Sequence, residues 1–97
     1  MRAVDLAVYA DALAGEAAAL SARVERARAQ LRQAEIEREA RAALSAASLE
    51  RLEAVGYFRP LDVDALRCAL VAWERSLDAL EELQSWVEEQ IAAVSVA

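Results

Sequence analysis

From Val63 to Val94 the large residues recur in alternating steps of three and four: Val63, Leu66, Leu70, Trp73, Leu77, Leu80, Gln84, Val87, Ile91 and Val94, with Gln84 alone polar. That spacing predicts a helix over about 62–95 carrying a coiled-coil seam. A second stripe follows the same rhythm on an adjacent face: Ala65, Ala69, Ala72, Ser76, Ala79, Leu83, Trp86, Gln90 and Ala93, most of them small. Small side chains let a neighbouring backbone come close, so two stripes predict two neighbours and a place in a helical bundle. The outer positions that remain are mostly acidic, among them Asp64, Glu74, Asp78, Glu81, Glu82, Glu88 and Glu89.

The first half of the chain repeats the rhythm with Leu6, Ala10, Leu13, Ala17, Leu20, Val24, Ala27, Leu31 and Ala34, and predicts a long helix over about 3–55. Gly15 inside it costs about 1 kcal/mol relative to alanine and marks either a close helix crossing or a kink. Past Ala34 the same phase would bring Arg38, Arg41, Ser45 and Ser48 to the seam. The apolar set is therefore expected to move to Ile36, Ala40, Ala43, Leu44 and Ala47, nearly the opposite side of the helix. One straight partner helix cannot cover both faces.

The connection is expected over 56–61. Gly56 suits a left-handed C-terminal cap, and Pro60 cannot continue the preceding helix. Asp62 suits an N-cap, with Leu61 and Leu66 at the spacing of a hydrophobic staple. A short connection makes the two helices antiparallel, with facing positions equidistant from about residue 59. That register sets the acids from Glu74 to Glu89 opposite Arg28, Arg32, Arg38 and Arg41, and leaves about the first 20 residues overhanging. An uncovered stripe of leucines needs a partner, so Leu6, Leu13, Leu20 and Val24 are assigned to self-association. The fold expected is all-α: one domain, an antiparallel, coiled-coil-like helical hairpin with a long first helix, assembling into a homodimeric helical bundle.

Composition narrows the function. A chain of 97 residues holds one small core that gains from oligomerisation. Apolar residues make up 58% of it, but alanine supplies much of that share, and two glycines and one proline leave few helix breaks. No uncharged apolar run reaches the length of a membrane span, and Asp5 and Asp11 interrupt what would be a signal-peptide core, so the N-terminus reads as mature helix. The net charge of −6 resides in residues 62–97, which hold eight acids and two arginines, whereas residues 1–61 hold nine of each. That balance argues against nucleic acid and anionic membranes. The single Cys68 forms no internal disulfide and suits a reducing cytoplasm.

The chemistry that remains is thin. With no histidine, the commonest general base and metal ligand are missing. The carboxylate pairs Glu35/Glu39 and Asp78/Glu82, and Glu81/Glu82 with Glu88/Glu89, read as a solvated acidic face, with no metal and no cofactor expected. Gln84 on the seam suits a register-fixing role. Trp73 belongs to the core, while Tyr9, Tyr57, Phe58 and Trp86 lie off the main seam and form the candidate partner surface, since interface anchors are often Trp and Tyr. The small secreted WXG-type helical proteins share this gross size, but the turn here reads Val55-Gly56-Tyr57-Phe58 without a Trp-x-Gly, and no family is assigned. The expectation is a non-enzymatic interaction or adaptor module, cytoplasmic and homodimeric. Its partner is itself or another helical protein. The alternative is a small chaperone or carrier for a partner's amphipathic helix.

Overall fold

The computed structural model describes residues 2–58 and 62–96. It is all-helical among those residues: α1 (Ala3–Ala43), α2 (Ala46–Ala54) and α3 (Val63–Val96). The long α1 packs along α3 to form a rod 74 × 18 × 14 Å in Cα extent. Its radius of gyration is 21.7 Å, against about 12.5 Å for a compact domain of this length.

Both seams behave as the spacing predicts. On α1, Leu6, Leu13, Val24 and Ala34 are buried and Ala10, Ala17, Leu20, Ala27 and Leu31 half-buried. On α3, Val63, Leu70 and Val87 are buried and Leu66, Trp73, Leu77, Leu80, Gln84 and Ile91 half-buried, whereas Val94 at the end is exposed. The best-covered cluster joins Leu6, Leu13 and Val87, with Ala10, Leu80 and Ile91 packed against it.

The uninterrupted first helix over 3–55 is corrected. α1 ends at Ala43, Leu44 turns extended, and Ser45 starts α2 as an N-cap whose hydroxyl accepts from the Ser48 N–H at 3.2 Å. No glycine or proline is needed, because a serine side chain can satisfy the new helix's free amides. The break comes where the seam has lost its apolar residues, so a straight helix would gain nothing by continuing.

α2 ends in a Schellman motif: Tyr57 N–H donates to the Leu52 carbonyl and Gly56 N–H to the Glu53 carbonyl, each at 3.0 Å. Gly56 has φ +70°, the left-handed cap expected of it. Asp62 caps α3, its carboxylate accepting from Ala65 N–H at 2.9 Å. The expectations for Pro60 and for the Leu61 staple lie outside the described residues.

The break also corrects the register. Leu6 packs with Val87, Arg28 meets Glu74 at 3.2 Å, and Arg67 meets Glu35 at 3.1 Å. These pairs converge near Glu50, inside α2, and not near residue 59. The segment from Leu44 to Asp62 is spent on the connection, so α3 starts level with the end of α1 and reaches back to its first turns. The overhang does not exist. Of the acids from Glu74 to Glu89, Glu74 meets the arginine-rich part of α1, while the later ones lie beside the first half of that helix, and Arg41 pairs within α1 to Glu37 at 3.0 Å.

Gly15 neither breaks α1 nor sits at a crossing. The helix runs through it, and nothing lies within 4 Å of where a Cβ would be.

Candidate interaction surface

The surface divides into two flanks on either side of the α1/α3 seam. One flank carries the interhelical ion pairs Arg28–Glu74 and Arg67–Glu35. Glu74, helped by Glu25, raises the pKa of the Arg28 guanidinium. Both pairs are well exposed, so they select the pairing of the helices more than they stabilise it.

The other flank belongs to the second stripe of α3. Ala65, Ala69, Ala72, Ser76, Ala79, Leu83, Trp86 and Ala93 are all exposed, with Leu83 at 36% and Trp86 at 44%. The second neighbour that this stripe calls for is not α1, which occupies the seam. Tyr9, 44% exposed, lies off the α1 seam beside the Leu6–Leu13–Val87 cluster, towards this same flank by helical spacing. The Ser76 hydroxyl donates to the Ala72 carbonyl at 3.0 Å, so its polar hydrogen is already satisfied within the helix. Arg23 lies with its guanidinium 4.4 Å from the centre of the Trp73 ring, covering that seam residue from the α1 side.

The four off-seam aromatics do not form one surface. Tyr9 and Trp86 belong to the end holding the two termini, and Tyr57 and Phe58 to the end holding the connection. Tyr57 and Phe58 meet edge to face at 5.1 Å between centroids, and Arg41 stacks over Phe58 at 4.3 Å. With Gln33, Ile36, Glu37 and Ala40 they line an open groove. Ile36 is 60% exposed and Tyr57 69%. The predicted shift of the apolar face after Ala34 is thus visible as Ile36, Ala40, Ala43 and Leu44, but a single chain leaves that face uncovered. Arg41, assigned away from the seam, is in fact half-buried beneath Phe58. Its long stem supplies apolar contact while its head finds a ring and a carboxylate.

Leu6, Leu13 and Val24 are buried and Leu20 half-buried within the chain's own hairpin. The reason for assigning these four to self-association, an uncovered end of α1, is therefore gone. The stripe that is open is the second one of α3, which the sequence marks as needing a neighbour.

Gln84 lies on the seam in a small concavity of about 90 Å³ with Ala10, Leu13, Ala14, Val87 and Glu88. That volume is below the few hundred Å³ of a typical ligand site. Among the described residues no three of His, Cys, Asp and Glu gather as a metal site, and no helix is long and apolar enough to cross a membrane. Cys68 is an exposed free thiol. No family model, curated protein or solved structure matches this chain.

Proposed function

We propose that the protein is a non-enzymatic helical association module, an adaptor that works as a homodimeric bundle. The observation that carries this reading is the exposed second stripe of α3, with Leu83 and Trp86 standing on it. The accessible surface supports it. At 7211 Å² it exceeds by about 1,700 Å² the value expected of a compact monomer of this mass. A standard interface removes about 800 Å² from each partner. The reducing cytoplasm suits the exposed thiol of Cys68, which stays unpaired there.

Sedimentation equilibrium tests the reading. A dimer mass at micromolar concentration is expected, and a chain that stays monomeric at several hundred micromolar overturns it. The groove at the connection end favours a second reading, a carrier for an amphipathic helix of another protein, because Ile36, Ala40 and Tyr57 form an apolar strip there. A monomer that binds a hydrophobic dye, and loses that binding on Ile36→Glu, supports the carrier instead.

A further inference from the structure

The exposed face of α3 is graded in size along its length. Towards the connection it holds Ala69 and Ala72; towards the termini it holds Leu83 and Trp86; between them lie Ser76 and Ala79. Reversing the helix about a point between Ser76 and Ala79 sets Trp86 on Ala69, Leu83 on Ala72 and Ser76 on Ala79. Each large side chain then meets a small one. A two-fold interface requires this reciprocity, since residue i meets j and j meets i. Running the helices parallel in register would instead stack Trp86 on Trp86 and Leu83 on Leu83, leaving a gap wherever alanine faced alanine.

Charge makes the same choice. Arg23 lies over Trp73, so among the described residues 2–22 and 76–96 form one half of the rod and 23–58 with 62–75 the other. The terminal half holds eight acids and a single arginine, Arg2, while the other half holds nine acids and nine arginines among the described residues. Parallel association would bring two acidic ends together. Antiparallel association about the point between Ser76 and Ala79 lays the acidic half of each α3 beside the near-neutral, arginine-rich half of the other, and sets Glu88 and Glu89 about 30–35 Å along the rod from their counterparts. That distance is about four times the screening length of about 8 Å at physiological salt.

We propose that a second copy of this chain docks antiparallel on this face of α3, with the two-fold axis passing between Ser76 and Ala79. The proposal rests on the homodimer reading above and adds to it the face, the direction and the register. Alanines at the contact let the two backbones approach to about 8 Å, the close end of helix packing. The Ser76 hydroxyl, already bonded to the Ala72 carbonyl, enters the contact without an unsatisfied hydrogen. A four-helix bundle results, in which each α3 touches its own α1 along the seam and the partner's α3 along the adjacent stripe.

The test uses the full chain with Cys68→Ser as background, carrying either Ala69→Cys or Trp86→Cys. A short bifunctional thiol reagent should link the two variants when they are mixed and leave each alone largely unlinked. Linkage of the Ala69→Cys chain to itself would show parallel pairing and overturn the direction. A size exchange gives a second readout. Ala72→Leu and Leu83→Ala should each weaken the dimer at least tenfold in sedimentation, and the double variant should recover most of that loss because large still meets small. All of these sites are exposed in the monomer, Ala72→Leu and Leu83→Ala keep good helix formers, and each Ser or Cys change costs at most about 0.7 kcal/mol of helix propensity, so circular dichroism should show nearly unchanged helicity. A wild-type dimer indifferent to both single changes overturns this face while leaving the dimer standing. A wild-type monomer overturns the homodimer reading itself.

Discussion

Leu6 and Val87 decide between the two registers that this sequence allows. Leu6 is 1% exposed and Val87 fully buried, and they share one cluster although they lie at opposite ends of the chain. Leu6→Ala removes three carbons from a site closed by α3. Such changes cost about 2–5 kcal/mol in packed cores, and a rod that can close around the gap puts this one near the lower end, about 2–3 kcal/mol. Val87→Ala removes two carbons, about 1.6 kcal/mol by transfer plus a cavity contribution, so roughly 2 kcal/mol. Because each fills the space beside the other, the double variant should lose less than the sum, with a coupling of about 0.5–1.5 kcal/mol. Urea unfolding, followed by circular dichroism at several protein concentrations, measures all four corners of the cycle and separates folding from assembly. A chain of this size changes its melting temperature by about 4–8 °C per kcal/mol, so the single losses are easily resolved. In the overhanging register the two side chains would lie far apart and their effects would add. Additivity within about 0.3 kcal/mol would therefore refute the register described here.

The two glycines should respond in opposite directions to the same change. Gly15→Ala should stabilise the chain by up to about 1 kcal/mol in urea unfolding, since the helix is continuous and nothing occupies the space of the new methyl. Gly56→Ala should destabilise it by about 1–2 kcal/mol in the same assay, the cost of holding a side chain at φ +70° with no steric clash to add. Ser45→Ala removes the side-chain acceptor at the start of α2 and should cost about 1 kcal/mol. Its effect should appear chiefly as faster amide exchange over α2; unchanged exchange there would mean that the cap does not hold the break.

The seams were legible in the sequence because helical periodicity is a local property. A residue's phase relative to its neighbours three and four positions away fixes its side of the helix before any partner is present. The positions from Leu6 to Ala34 and from Val63 to Ile91 accordingly fall on the contact face. The caps at Gly56 and Asp62 were legible for the same reason, since each needs only the backbone within a few residues of itself. The second stripe of α3 was also visible, as a face in want of a neighbour.

The register was not local. It depends on how much chain the connection consumes, and that turned on whether the helix continues past Ala43 or stops. The loss of apolar residues from the seam after Ala34, followed by Ser45 and Ser48 at capping distance, was the available signal. Without a glycine or proline it looked like a change of face in one helix. Only the folded chain shows α1 stopping at Ala43 and a separate α2 over Ala46–Ala54 taken into the connection, which moves the facing positions by many residues, about 1.5 Å of helix for each. That displacement decides what each leucine meets. It turns Leu6, Leu13 and Val24 from an open edge into the hairpin's own core, and it leaves the α3 stripe from Ala65 to Ala93, Gln90 apart, exposed to solvent.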